Sequence, residues 1–446
     1  MQIRSAELIG ALSRALDITE GQPQGHCHRV CWLGMKLGEG INLSREELSD
    51  LYYALLLKDL GCSSNAARIC QLYLTDDLKF KSDFKFVDGS LSQALRFVLS
   101  HTGMDSGMAE RFRAIINIMR NGGEIARELV EVRCHRGADI ARQMGFNSRV
   151  ADAIQNLDEH WDGSGKPEGR LHRDIPVASQ IALMAQVADV FFTAGGSAVA
   201  VSEVKARAGS WFDGDLVDVF INFAELEEFW EPLNAPDLAL RVLELEPREH
   251  IRIADEDYLD RVAKGFAMVV DSKSPFTAGH SSRVALYADM IAERLGFNAA
   301  HRRTLSRAAL LHDIGKLGIS NAILDKPAKL TEAEFATVKT HPTLSAEILR
   351  GIPALLNMVP VAEGHHERLD GNGYPQALYG DAMSMDVRIV SVADVFDALT
   401  ADRPYRKAMS VAEASALMQK DVGKAFDARC FDALAIALKE IQNEAA

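Results

Sequence analysis

The chain says nearly the same thing twice. Residues 25–30 read GHCHRV and residues 279–284 read GHSSRV, 254 positions later. At the same spacing LLLKDLG (55–61) lies over ALLHDIG (309–315). WDGSGKP (161–167) then matches LDGNGYP (369–375) at a spacing of 208, VADVFFT (187–193) matches VADVFDALT (392–400), and GSWFD (209–213) matches GKAFD (423–427). Five blocks in one order mark a duplicated domain, and each copy must then bury a core of its own within the 446 residues.

Both copies read as helical. Apolar residues recur at three and four, as in Val284, Tyr287, Ala288, Ile291 and Leu295, where Gly296 supplies a stop. Thr331 followed by Glu334 forms a capping box, and strand-type alternation is scarce. The fold class expected is all-α, two tandem helical domains. Asp59 to His135 is 76 positions, whereas Asp313 to the matching His341 is 28, which predicts 48 extra residues in the first copy. LSQALRFVL and MAERFRAIINIM place that insertion near 76–125 as two further helices. The domains expected are 1–232 and 253–446, joined by a charged, proline-containing linker over 233–252.

Charge narrows the partners. Lys plus Arg is 49 and Asp plus Glu is 63, a net of −14. A surface of that sign does not displace counterions from a nucleic-acid polymer, although a metal or a few local cations can hold a small phosphorylated ligand. The six cysteines are scattered and form no C-x-x-C pair, which excludes a disulfide framework and a thiolate zinc site. No signal peptide is legible and no run approaches about 18 uncharged apolar residues, so no membrane span and a cytoplasmic location are expected.

The second copy concentrates metal-ligand chemistry. Of thirteen histidines, His280, His312, His341, His365 and His366 fall there, accompanied by Asp313 and Asp394. Adjacent His-Asp and His-His pairs at helix ends can serve two ions, and imidazole plus carboxylate without thiolate suits iron, manganese or zinc. Seven ligands exceed what one tetrahedral ion needs, which points to two divalent ions sharing a bridging carboxylate, with Asp313 as the bridge.

HDIGK (312–316) with HHERLDGNGYP (365–375) resembles the HD-GYP family, a branch of the HD phosphohydrolase superfamily, over roughly residues 255–446. The resemblance implies an HD-type helical fold in each copy and hydrolysis of cyclic di-GMP to pGpG and onward to GMP, on two divalent ions, iron or manganese. It assigns His280, His312, Asp313, His341, His365, His366 and Asp394 as metal ligands, and Asp313 with Lys316 to catalysis. It implies substrate contacts from Arg283, Lys316, Arg403 and Arg406, and from the Gly373-Tyr374-Pro375 loop near the site mouth, which is also the expected contact for a diguanylate cyclase partner. Family members with a third metal hold it through a Glu four residues before the first histidine; Phe276 stands there, so two ions are expected. The alternatives are a 3',3'-cyclic GMP-AMP phosphodiesterase, which shares phosphate and metal contacts, and a catalytically idle cyclic dinucleotide receptor or docking module.

The first copy is degenerate by the same alignment. It keeps His26, Asp59, His135 and Asp189, but places Lys58 for His312, Cys62 for Lys316, Leu157 for His365, Asp158 for His366 and Lys166 for the tyrosine of GYP. No dinuclear cluster is expected there. Two jobs remain for it: packing, including homodimer contact, or a regulatory nucleotide pocket using Lys58, Lys166 and Arg170.

Overall fold

The computed structural model describes residues 3–87, 90–104, 106–404 and 406–444. Helices account for nearly all its regular structure. Among the described residues the only sheet is the two-residue pair Ile3–Arg4 and Ile253–Ala254, antiparallel. The chain divides into two compact units, Met1–Tyr258 and Leu259–Ala446. Residues 233–252, expected as a linker, belong to the first unit. Helix Leu238–Glu244 sits there, and the buried Glu246 carboxylate accepts from the Tyr53 hydroxyl at 2.7 Å and pairs with Arg4. Charge and proline mimicked a linker because Glu246 points inward, onto partners some 190 to 240 residues away.

In each unit the helix that presents the first histidine starts the same way. His280–Arg294 follows Gly279, and the Asp271 carboxylate accepts from the Ser281 amide and, at 2.7 Å, from its hydroxyl. His26–Gly40 follows Gly25, and Asp17 accepts from the Gly25 and Cys27 amides at 2.8 Å. A distant carboxylate thus satisfies N–H groups that a helix start leaves unpaired. Val284, Ala288 and Ile291 of His280–Arg294 are fully buried and Gly296 follows its end with φ 80°, as the apolar spacing implied. The Thr331–Glu334 capping box forms.

The insertion is larger than two helices. Asp77–Phe84 and Leu91–His101 are new, and the third element, Met108–Gln143, is a single 36-residue helix whose last turns match His341–Arg350 of the second unit. Pro342 near the start of the latter helix lacks an amide and stops it extending backward. Cys134 stands at the equivalent point in the first unit and imposes no stop. The insertion carries its own core of Ile69, Leu72, Tyr73, Phe80, Phe97, Ile118, Ile125 and Leu129.

Helix Val177–Gly195 is long and apolar enough to cross a membrane by length and composition, which the sequence reading did not expect. In the structure 67% of its most apolar window is buried inside the protein, so its apolarity serves a core. Ile181, Leu183, Met184 and Val190 are buried there, each contributing about 1.5–3 kcal/mol.

Candidate metal centre and catalytic cleft

The seven predicted ligands of the second unit arrive from helix ends and converge. His280 opens helix His280–Arg294, and His312 and Asp313 close helix Ala299–Leu311. His341 opens His341–Arg350, His365 and His366 follow Val359–Gly364, and Asp394 lies within Met385–Thr400. The turn after Asp313 is tight because Gly315 rests on the helix bearing His341: its amide donates to the Ser345 hydroxyl at 2.8 Å, and a Cβ would run into the His341 carbonyl.

Asp313 is the centre. Its Oδ2 lies 3.5 Å from His280 Nε2 and 3.2 Å from His312 Nε2, while Oδ1 lies 3.2 Å from His341 Nε2 and 3.6 Å from His365 Nε2. Asp394 adds one oxygen 3.4 Å from His280 Nε2 and another 3.9 Å from His366 Nδ1. Two donor triplets, His280 with His312 and Asp394, and His341 with His365 and His366, flank Asp313, which itself groups with His312 and His365. Asp313 faces both groups with different oxygens, as a bridge must.

The histidine tautomers are set from outside the cluster. His280 Nδ1 donates to Asp397 at 2.7 Å. His312, His341 and His365 donate through Nδ1 to the carbonyls of Ala309, Val338 and Ala362 at 2.5 to 2.9 Å. Each Nε2 is therefore left pointing inward, where its lone pair would be offered to a bound cation. His280 Nε2, His312 Nε2 and Asp313 Oδ1 are buried without a hydrogen-bond partner. Buried polar atoms are costly to leave unpaired, and three of them converging in an imidazole–carboxylate set fit divalent cations. Asp397 is a residue the sequence reading missed. Its neighbour is 117 positions away, and the only local hint was a second carboxylate one helical turn after Asp394.

Electrostatics follow the same division. Burial would raise the Asp313 carboxyl, but His312 and Lys316 beside it hold it well below the usual range. Burial would lower His280, yet Asp313, Asp394 and Asp397 keep it well above its ordinary value. Burial pushes His365 down to about 4 and, with His365 alongside, pushes His366 down further than usual for an imidazole.

A cleft with a cavity volume of about 100 Å³ opens onto this cluster. His280, Asp313, Lys316 and Arg403 line it together with Val270, Phe276, Leu324 and Pro404. The four expected cations have different fates. Lys316 pairs with Asp313 and is one-fifth exposed. Arg403 lines the cleft, and among the described residues its guanidinium has no hydrogen-bond or ion-pair partner. Arg283, expected at the substrate, holds Asp397 through Nε and Nη2 and donates to the Ala278 carbonyl. Arg406, also expected there, donates to the carbonyls of Ala398, Leu399 and Lys407 and so closes a helix end. The GYP loop is built around a close approach: a Cβ at Gly373 would meet the Glu367 backbone, and buried Glu367 accepts from the amides of Gln376 and Leu378. Tyr374 lays its ring 4.9 Å from His366, Pro375 is exposed, and none of Gly373, Tyr374 and Pro375 lines the cleft.

A family model described as the HD domain matches residues 90–216 and again 264–430. The chain belongs to the HD-domain family, in its HD-GYP branch. It is 48% identical over 98% of its length to the 3'3'-cGAMP-specific phosphodiesterase 3 of Vibrio cholerae, covering 95% of that protein. It is 34% identical to the cyclic di-GMP phosphodiesterase response regulator RpfG of Xanthomonas campestris, over 59% of this chain and 68% of that one. The crystal structure of a cyclic GMP-AMP specific phosphodiesterase from V. cholerae matches with a TM-score of 0.66 and 44% identity, over 98% of both chains.

The two units correspond in a register different from the one the sequence blocks imply. Gly61 approaches the Arg133 carbonyl as Gly315 approaches that of His341, so the partner of His341, 208 positions earlier, is Arg133. His135, expected as a retained ligand, is exposed on the outer face of its helix. Asp189 accepts from His26 Nδ1 at 2.6 Å and from Arg29, which is the bonding of Asp397 and not of Asp394. The residue matching Asp394 is Gln186. The spacing stays at 208 through Glu159, which accepts from the amides of Glu168, Gly169 and Arg170 as Glu367 does in its own loop. The insertion is therefore 254 − 208 = 46 residues, and of the seven ligands only His26 and Asp59 persist.

Built-in cations stand where ligands are missing. Lys58 Nζ lies 3.0 Å from His26 Nε2 and pairs with Asp59, both buried. Arg133 pairs with Asp158. Burial opposes the charge of Lys58, but Asp59 more than offsets it and keeps the ammonium protonated. Glu20, Asp59 and Cys62 also cluster, but Lys85 sits 2.6 Å from Glu20 and Lys58 on Asp59. Lys58 is buried and Arg170 is paired with Glu168, so two of the three cations expected for a regulatory pocket are committed elsewhere.

Proposed function

We propose that the second unit is a metal-dependent phosphodiesterase that opens 3',3'-cyclic GMP-AMP. The carrying observation is the convergence of five histidines and Asp394 around Asp313, with three buried, unpartnered polar atoms among them. The preference for the mixed dinucleotide over cyclic di-GMP, the substrate first expected, rests on the near-full-length likeness to a protein of that name. The shorter likeness to RpfG supports cyclic di-GMP as a second substrate. An idle receptor is disfavoured because the first unit keeps only His26 and Asp59 unchanged at the seven matching positions, whereas the second has a histidine or aspartate at every one.

His280, His312, Asp313 and Asp394 would hold one ion, and His341, His365, His366 and Asp313 the other. Iron or manganese suits that donor set. Ions bound there would supply Lewis-acid polarisation of a phosphodiester and a lowered water pKa near neutral pH. The chain's own residues do the rest. Asp397 and the three backbone carbonyls fix the imidazoles before metal arrives, which removes reorganisation from the binding step. Lys316, held at Asp313 on the cleft wall, and the uncommitted Arg403 supply fixed cations where negative charge grows on the phosphate, the arrangement electrostatic catalysis requires. Tyr374 packs its ring 4.9 Å from that of His366.

The test is anaerobic purification, elemental analysis and product analysis on both dinucleotides. Two equivalents of metal with hydrolysis of the mixed dinucleotide to linear product or mononucleotides is expected. A metal-replete protein that cleaves neither would end the proposal.

A further inference from the structure

We infer that Phe276 is the platform on which a nucleobase of the substrate stacks. This rests on the phosphodiesterase reading of the same cleft and adds to it the element that recognises the base. Phe276 lies four residues before His280, in the connection between helices Glu256–Asp271 and His280–Arg294. It is half-buried and lines the cleft that reaches His280, Asp313 and Lys316. Among the described residues its ring has no aromatic partner. Val270, Leu324 and Pro404 make up the apolar lining of the same cleft. A phosphate or an aliphatic phosphodiester has no use for an apolar wall beside a cluster of cations and ligands. A nucleotide does, because its planar base needs dry contact and its phosphate needs charge. Gln22 occupies the corresponding place in the first unit, with its amide donating to Glu20. The copy that has lost its ligands thus has no ring there either.

Every base offers a π face, so a stack of this kind gives affinity without choosing between guanine and adenine. Removing such a platform typically weakens binding about 5- to 150-fold. The experiment uses the full-length, metal-loaded protein with Phe276→Ala, Phe276→Leu and Phe276→Trp. It reads kcat/KM on 3',3'-cyclic GMP-AMP and cyclic di-GMP, equilibrium binding of GMP, and metal content. Ala and Leu are both expected to lose about 5- to 150-fold on both dinucleotides with unchanged metal content, while Trp stays within about threefold of the parent. Leu as active as Phe would show that only apolar cover is needed and overturn the platform. Loss of metal in Ala and Leu would assign Phe276 to support of the ligands and overturn it equally. Should the parent cleave neither dinucleotide, GMP binding decides: weaker binding in Ala and Leu than in the parent and Trp upholds the platform while the phosphodiesterase reading falls, and equal binding refutes the platform.

Discussion

Asp397 gives the sharpest test of how the centre is built. It touches no predicted metal position, yet its carboxylate receives His280 Nδ1 at 2.7 Å and the Arg283 guanidinium, and it is 1% exposed. Replacing it by Ala frees the His280 ring to rotate and to take the other tautomer, which turns a hydrogen instead of a lone pair toward Asp313 and Asp394. Loss of such an outer partner typically costs 10- to 100-fold in metal affinity, about 1.4–2.7 kcal/mol. Asp397→Asn keeps an acceptor for Nδ1 but loses the charge, so its effect falls at the lower end. The assay is competition between the protein and a chelator of known affinity, followed by elemental analysis and turnover on the folded fraction. The first unit supplies the control, because Asp189 makes the same two bonds to His26 and Arg29 without a metal cluster nearby. Asp189→Ala strands buried partners and is expected to destabilise by about 3–5 kcal/mol while leaving metal content alone. Unchanged metal affinity in Asp397→Ala, or metal loss in a folded Asp189→Ala, would refute the reasoning.

Three further outcomes are expected. Asp313→Ala or His366→Ala abolishes hydrolysis while far-UV circular dichroism stays helical, and parental turnover in either sinks the two-ion reading. Asp59→Ala leaves Lys58 buried without its counter-ion and lowers the thermal midpoint, whereas kcat of the folded protein stays within a few-fold; complete loss of activity would give the first unit a catalytic role. Burial would raise the Glu20 carboxyl, but Lys85 and Lys81 hold it well below its ordinary 4.5. A depressed carboxyl stabilises fully above its unfolded value and loses that contribution as pH falls through its folded value. Thermal midpoints of the parent should therefore fall on acidification below about pH 4.5, and fall less steeply in Glu20→Gln.

The all-α class, the duplication and the cluster of five histidines with Asp313 and Asp394 were legible in the sequence for a common reason. Histidine pairs beside carboxylates are chemically unusual, so HDIGK and the His365-His366 pair stand out without any knowledge of their surroundings, and apolar residues at three and four report a helix wherever it packs. The register within the repeat was not legible. VADVF fits its counterpart three residues away from the structural match, and three residues come within about 60° of a full helical turn, so sliding one helix along the other costs little in pattern. Only tertiary partners resolve it: His26 Nδ1 selects Asp189, and the Gly61 backbone selects Arg133 over His135. The same reason separates Arg403 from Arg283 and Arg406. A guanidinium is equally cationic in any sequence, and whether it is free for a ligand depends on which carboxylates and carbonyls the folded chain brings within its reach.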